Sequence, residues 1–184
     1  YIPTPDRMKT DARLRIGKRL RGITLKRKIG VCCEYEHRNY GSMLQALATV
    51  MQLEKLGYDY ELIRYTRKLT PDLLARSLSR IPEEIGLLIR RHGQTQRIKK
   101  YPDIQEGIHL RNARFESFSR HYFLKVSRPY DTFFQLQQAA RQYCAVLVGS
   151  DQLWTPRGYS TGFFNLLFVP DDIPKIAYAT SFGV

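Results

Sequence analysis

The sequence contains no long apolar run, and its hydrophobic stretches fall far short of the roughly 20 residues that a membrane-spanning helix needs. This absence argues against a transmembrane helix. Charged residues interrupt the first thirty positions throughout, so the apolar centre of a secretory signal is missing as well. The chain begins with Tyr1 rather than Met, which leaves room for a removed upstream segment.

Cysteine is scarce, with three residues at positions 32, 33 and 144. The number is odd, two are adjacent, and all three lie in apolar runs typical of strands. We interpret them as reduced core residues of a cytosolic protein rather than as a disulfide or metal set. A nucleophilic Cys33 stays open because this residue lies near a strand end, although no partner base can be identified.

Several familiar motifs are absent. There is no G-x-G-x-x-G dinucleotide fingerprint, no P-loop, no Ser/His/Asp spacing typical of hydrolases, and no internal repeat. The histidines do not combine with cysteine at the spacing of a metal site, so we predict no metal. Interleaved aromatic and basic residues are also missing, which argues against a specific nucleic-acid partner. The four histidines are His37, His92, His109 and His121.

Positive charge is abundant and confined to two segments. Residues 1–27 carry nine Lys or Arg against two Asp, and residues 64–100 carry ten against three acidic residues, so each segment has a charge of +7. The rest of the chain carries −1 of the total of +13. We expect a nearly neutral folded core and two basic segments suited to an anionic surface. Residues 1–27 either lie on anionic lipid as an amphipathic helix or form a solvated helix leading into the domain.

The apolar pattern from residue 28 onwards predicts an α/β domain. A buried strand is predicted at 28–34, an amphipathic helix at 42–56 and a strand at 58–65. The apolar stripe of the predicted helix consists of Leu44, Leu47, Ala48, Met51, Leu53 and Leu56. Gly57 supplies the helix stop. Strand, helix and strand over this length predict a right-handed crossover between parallel strands.

The second half of the domain continues the α/β pattern after an interruption. Residues 66–125 predict a basic helical insert that ends in a helix at 108–121, whose Phe115 and Phe118 pack inward. A helix at 131–143, a strand at 144–148, an extended apolar segment at 163–169 and a strand at 175–180 follow. The predicted organisation is therefore a basic extension over 1–27 and a Rossmann-like parallel sheet with flanking helices over 28–184.

Three polar loops follow predicted strands, at residues 37–42, 149–154 and 181–183. Ligands of parallel sheets bind at the carboxyl ends of the strands, where helix N-termini and loop amides converge. In the first loop, Asn39 and Gly41 permit unusual backbone geometry, and Ser42 is a candidate cap of the next helix. Either the first-turn amides of that helix favour an anion, or the loop is a helix cap and nothing more. In the second loop, Asp151 either accepts from or deprotonates a sugar hydroxyl, or caps a turn. Trp154 either faces a pyranose ring or fills the core beneath the loop.

Three segments resemble the signatures of the polysaccharide pyruvyl transferase family. NYGSMLQA at 39–46 with LEKLGY at 53–58 is similar to the first signature, VGSDQLW at 148–154 to the second, and KIAYATSFG at 175–183 to the third. They occur in the expected order, and the resemblance covers roughly residues 28–184.

The resemblance implies the N-terminal half of a GT-B-like two-domain enzyme. Family members transfer a pyruvyl group from phosphoenolpyruvate to saccharide hydroxyls in polysaccharide or exopolysaccharide biosynthesis, with release of phosphate. The donor site is expected in a second half, so this chain would shape the acceptor side and need a missing C-terminal domain for activity. The resemblance implies Asp151 as the catalytic residue. It maps substrate contacts onto Asn39, Tyr40, Gly41, Ser150 and Trp154, and we further predict contacts from Ser42 and Ser181.

The expected partners are a saccharide or lipid-linked glycan, phosphoenolpyruvate as donor, and an anionic membrane surface, with no cofactor. The expected location is the cytoplasm, with peripheral attachment at the inner face of the membrane. The alternative hypothesis is a truncated family member that binds saccharides without turnover.

Overall fold

The computed structural model describes residues 28–66, 86, 89–90, 92–93, 101–155 and 161–183. Its centre is a four-stranded, all-parallel sheet in the order β2-β1-β3-β4. The strands are β1 (Lys28–Cys32), β2 (Asp59–Leu62), β3 (Ala145–Asp151) and β4 (Lys175–Thr180). Together with its flanking helices, this sheet confirms the Rossmann-like α/β class. The GT-B resemblance stays a prediction. The predicted basic extension at 1–27 lies outside the described residues, so its structure stays a prediction as well.

Helix α1 (Tyr40–Lys55) connects β1 to β2. It starts two residues before the predicted boundary and buries Met43, Ala46, Thr49, Val50 and Leu53. The predicted stripe was wrong in part: Leu44, Met51 and Leu56 are exposed, at 55%, 59% and 60%. Leu53 is buried as predicted, and Leu47 is half-buried against the core. Both stripes have helical spacing, and small Ala46 and Thr49 lie on the face turned towards the sheet. Gly57 follows the helix with φ of +80°, as expected of a helix stop.

Two helices accompany the second half of the sheet. Helix α2 (Pro102–Tyr122) begins well before the predicted residue 108, and Gly107 lies inside it rather than interrupting it. Phe115 is buried as predicted. Helix α3 (Phe133–Ala140) starts with a capping box, in which Thr132 and Gln135 each bond the other's backbone N–H. Most of the predicted basic insert before residue 101 lies outside the described residues.

Alternating strand residues divide the core between the two faces of the sheet. Val31 and Leu147 pack with α1, Phe115 and Phe123 on one face. Cys32, Val146 and Val148 pack with α3 on the other face. This two-residue alternation is what buried parallel strands require.

The segment between β3 and β4 covers the α3 face. We predicted an extended run at 163–169, which was wrong, because these residues form successive turns. An extended segment would turn alternate side chains to opposite sides. The turns instead bury both neighbours in the pairs Phe163–Phe164 and Phe168–Val169 against one cluster.

No helix among the described residues combines the length and the apolar character that crossing a bilayer demands.

Candidate functional site

The strand order creates a crevice between β1 and β3. The chain leaves β1 for β2 on one side, whereas β3 and β4 lie on the other. Connections that depart in opposite directions leave a gap above the carboxyl ends of the two central strands, and ligands of open α/β sheets bind there. The loop from β1 to α1 and the end of β3 border this gap.

Asn39 fixes the start of α1 at the crevice. Its extended backbone ends the loop, and its side-chain Oδ1 accepts hydrogen bonds from the backbone N–H of Gly41 at 2.8 Å and of Ser42 at 3.4 Å. The N-cap is therefore Asn39, and the prediction that Ser42 caps this helix was wrong. Because Asn39 supplies the cap, the Ser42 hydroxyl is available for a different partner.

Ser42 and Asp151 join the two sides of the crevice. The Ser42 hydroxyl donates to Asp151 Oδ2 over 2.7 Å, although the residues are 109 positions apart. The backbone N–H of Gln152 donates to the other carboxylate oxygen over 2.7 Å. Both Ser42 and Asp151 are half-buried. Two hydrogen bonds from different elements hold the carboxylate in one orientation while part of it stays accessible.

The carboxylate also complements the positive end of α1. The first turn of that helix contains no acidic residue of its own. Asp151 brings a negative charge to the first turn through its bond to Ser42. A carboxylate near a helix N-terminus is stabilised by about 0.3–1 kcal/mol when exposed, and more when partly buried.

The third predicted loop, at residues 181–183, lies beside Asp151 at the same edge of the sheet. The Ser181 N–H donates to the Asp151 carbonyl oxygen at 3.0 Å, and the Trp154 N–H donates to the Ser181 carbonyl oxygen at 3.1 Å. Phe182 lies against the Trp154 ring with centroids 5.6 Å apart. The loops after β1, β3 and β4 therefore converge at one edge of the sheet, as their positions after parallel strands predict.

The second loop differs in detail from its prediction. Gly149, Ser150 and Asp151 belong to β3 rather than to a loop, since they continue the ladder with β4. Ser150 is half-buried and its hydroxyl has no hydrogen-bond partner among the described residues. Trp154 lies beneath the loop and donates its indole N–H to the Phe164 carbonyl oxygen at 3.0 Å. Of its two interpretations, this packing matches the core residue.

Tyr40 presents an accessible aromatic ring near the crevice. Its side chain is 60% exposed, and its ring lies on Phe115 of α2 with centroids 4.4 Å apart. Sequence analysis singled out Tyr40 but not the neighbouring Arg114, which lines a groove with it. Nothing in the local sequence around Arg114 indicates this proximity, because it depends on how α2 packs against α1.

Burial disfavours a nucleophilic cysteine. Cys32 and Cys33 are buried, and loss of hydration raises the pKa of both thiols well above the usual range. Cys144 is half-buried, and burial raises its pKa as well. A raised pKa lowers the fraction of thiolate, which is the reactive form. All three thiols are free.

We therefore expect at most one thiol of the folded chain to react with an aromatic disulfide reagent at mildly alkaline pH. Cys144 is the one exposed enough to react, and all three cysteines should react after unfolding. Counting released chromophore before and after adding denaturant measures both numbers. Rapid labelling of Cys33 in the folded chain would restore the nucleophile hypothesis.

Within the described part of the chain, no three His, Cys, Asp or Glu side chains cluster in a way that could hold a metal ion. The crevice therefore offers hydrogen-bonding groups, one fixed carboxylate and aromatic surface.

Comparison with known families assigns the chain. The family model of polysaccharide pyruvyl transferase matches residues 39–184. The chain belongs to the polysaccharide pyruvyl transferase family. The match begins at Asn39, the N-cap of α1, and continues through Asp151 and the loop after β4, so it contains every residue of the crevice described above. Searches of curated proteins and of solved structures gave no significant match.

Membership of the polysaccharide pyruvyl transferase family agrees with the resemblance found in the sequence. It also gives the converging loops a chemical context. A pyruvyl transferase must bring saccharide hydroxyls to an activated pyruvyl group, and hydroxyls are recognised by fixed hydrogen-bond acceptors. Asp151 is such an acceptor at the crevice.

Proposed function

We propose that the crevice binds the saccharide acceptor of a pyruvyl transfer reaction and that Asp151 removes a proton from an acceptor hydroxyl. The observation that carries this proposal is the 2.7 Å hydrogen bond from Ser42 to Asp151 across the gap between β1 and β3. A carboxylate has about four lone-pair directions. Ser42 and Gln152 occupy two of them within the described residues, which leaves acceptor capacity for a sugar hydroxyl.

The proposed donor is phosphoenolpyruvate. The first acceptor oxygen bonds to C2 of the enolpyruvyl group while its proton passes to Asp151. The electron pair of the C2–C3 double bond takes one proton from solvent at C3, which becomes a methyl group, and Asp151 returns its proton to solvent. A second hydroxyl of the same sugar then bonds to C2 as the C2–O bond to phosphate breaks. Phosphate leaves with the electron pair of that bond, and it takes up the proton of the second hydroxyl. The product is a cyclic pyruvate ketal.

The chemistry divides naturally between two kinds of site. Departing phosphate requires cations or hydrogen-bond donors around its oxygens. Within the described residues, the Asp151 carboxylate accepts from the Ser42 hydroxyl and the Gln152 N–H, neither of which is cationic. This set suits hydroxyl recognition better than phosphate recognition, and it supports an acceptor-side role for the crevice.

The direct test is product formation by the protein as its gene encodes it. The protein would be incubated with phosphoenolpyruvate and a panel of methyl pyranosides, with phosphate release and ketal formation followed by colorimetry and mass spectrometry. We expect ketal formation to depend on phosphoenolpyruvate and on two free neighbouring hydroxyls. An acceptor methylated at either hydroxyl is the matched control, because it cannot close the ketal.

Sugar binding without any ketal across the panel would contradict the proposed reaction and favour the alternative, a non-catalytic saccharide-binding module. Ketal formed equally well by a monomethylated acceptor would contradict the proposed chemistry.

A further inference from the structure

A groove of about 310 Å³ lies between the first half of α1 and the middle of α2. It opens beside Tyr40, the first residue of α1, two positions before the Ser42 that bonds Asp151. The groove therefore begins at the same end of α1 as the crevice, and neither Ser42 nor Asp151 lines it. Its lining residues are Tyr40, Met43, Leu44, Arg114, Phe115 and Phe118.

The groove has a flat apolar wall that is open to solvent. Phe115 is buried and supports the Tyr40 ring from one side, with centroids 4.4 Å apart. Tyr40 remains 60% exposed and Leu44 is 55% exposed. Adjacent exposed apolar side chains at the mouth of a concave surface are typical of a binding site. An exposed aromatic ring is also the surface on which the C–H face of a pyranose can pack.

Arg114 is the one charged side chain in the lining, and it has no hydrogen-bond or ion-pair partner among the described residues. Two nearby arginines are already engaged. Arg38 pairs with Glu116 at 3.2 Å, and Arg111 donates to the Arg38 carbonyl oxygen at 2.7 Å while its guanidinium lies over the Phe115 ring. The groove therefore combines an apolar platform with one guanidinium that is available to an external anion.

We propose that this groove binds a sugar unit of the acceptor that carries a carboxylate, with its ring on Tyr40 and its carboxylate paired with Arg114. The inference rests on the proposed function in that it takes the acceptor to be a saccharide. A neutral sugar would leave the guanidinium unused, and a free inorganic anion would leave the aromatic wall unused. A uronic acid uses both, since guanidinium groups match planar carboxylates with paired hydrogen bonds.

The test compares two probes that differ only at one carbon substituent, methyl β-D-glucuronide and methyl β-D-glucoside. Saturation-transfer NMR titrations would be recorded with the full protein at low salt. We expect the wild type to prefer the glucuronide by about fivefold, as one exposed ion pair allows. The preference should disappear in Arg114→Gln, and Tyr40→Ala should weaken binding of both sugars.

Arg120→Gln is the matched control. Arg120 lies on the same helix, and its side chain donates only to the Glu116 carbonyl oxygen among the described residues, outside the groove lining. The proposal predicts that Arg120→Gln keeps the preference. Equal binding of the two sugars by the wild type would overturn the proposal. Equal loss of preference in Arg114→Gln and Arg120→Gln would also overturn it, because that result indicates general attraction of the anionic sugar by a basic protein.

The outcome is separable from that of the proposed reaction. Asp151→Asn should keep the glucuronide preference while losing ketal formation. If the wild type forms no ketal but still prefers the glucuronide, the groove proposal holds and the proposed reaction fails. If the wild type forms ketal but binds the glucuronide and the glucoside equally, the proposed reaction holds and the groove proposal fails.

Discussion

Replacing Asp151 by Asn is expected to lower the rate of ketal formation by about 100-fold or more, the usual contribution of a general base. Asn has nearly the same shape: its side-chain oxygen can accept the hydrogen bond from the Gln152 N–H, and its amide NH2 can donate to the Ser42 hydroxyl oxygen. It cannot take a proton from a sugar hydroxyl at neutral pH. The substitution should therefore lower the catalytic rate constant. The initial rate of ketal formation at saturating acceptor measures this decrease.

Asp172→Asn serves as the control for Asp151→Asn. Its side chain is 72% exposed before β4, and its nearest cationic partner in the described structure is Arg141 at 3.8 Å. Losing this distant pair should leave the rate within about twofold, because exposed ion pairs contribute little. An Asp151→Asn rate equal to that of Asp172→Asn would remove Asp151 from the reaction. Circular dichroism of both variants would establish that each is folded.

Ser42→Ala provides an intermediate test of the same site. Removing the hydroxyl leaves the Asp151 charge in place but releases one of the two hydrogen bonds that orient the carboxylate. We expect a smaller loss of rate, about tenfold, because misorientation costs less than loss of the base. A larger loss than that of Asp151→Asn would indicate that Ser42 itself contacts the substrate.

The largest effect on stability is expected from Gly149→Ala. An added Cβ would lie 1.9 Å from the Tyr178 carbonyl oxygen of β4, and the backbone at Gly149 has a positive φ of 148°. The neighbouring atom belongs to the backbone of a paired strand, so it cannot swing away as a flexible side chain would. Either β3 and β4 separate or the site edge is distorted. We expect a loss of about 4 kcal/mol or more in the free energy of unfolding, the range reserved for severe steric conflicts.

Gly107→Ala is the matched control for Gly149→Ala. Gly107 lies inside α2, and an added Cβ there would meet no atom within 4 Å. The same chemical change should raise stability by about 0.5–1 kcal/mol, because Ala is the better helix former. Urea unfolding followed by the fluorescence of Trp154, the single tryptophan, compares the two variants. Equal midpoints would show that β3 tolerates a side chain at this position.

Much of the fold could be predicted because parallel strands carry a strong local pattern. The strands at 28–32, 145–151 and 175–180 are short apolar runs bounded by polar loops, and the structure has them close to the predicted positions. The family signatures were likewise confirmed by the match over residues 39–184. These features depend on residue order alone, so no knowledge of packing is needed to find them.

The errors concern features that packing decides. The face of α1 that meets the sheet is set by small Ala46 rather than by the larger Leu44, because close approach matters more than hydrophobicity there. Gly107 weakens a helix locally, yet α2 runs through it. The turns at 163–168 bury adjacent aromatic residues, a pattern that composition cannot distinguish from an extended run.

The position of the candidate site in the fold could be predicted from the sequence, but the contacts between its side chains could not. Parallel strands bring the ends of β1, β3 and β4 to one edge, which follows from topology. The bond between Ser42 and Asp151 depends on how α1 packs on the sheet, because its two residues lie on different elements 109 positions apart. Arg114 was missed because its place in the groove lining depends on the packing of α2 beside α1.

The hydrogen bond between Ser42 and Asp151 has a consequence for how the chain folds. Its two ends are 109 residues apart, so a nascent chain that has made only β1, α1 and β2 lacks the carboxylate altogether. Contacts between distant parts of a sequence form late and slowly, because a long loop must first be closed. The crevice should therefore be among the last regions to acquire protection from hydrogen exchange during refolding.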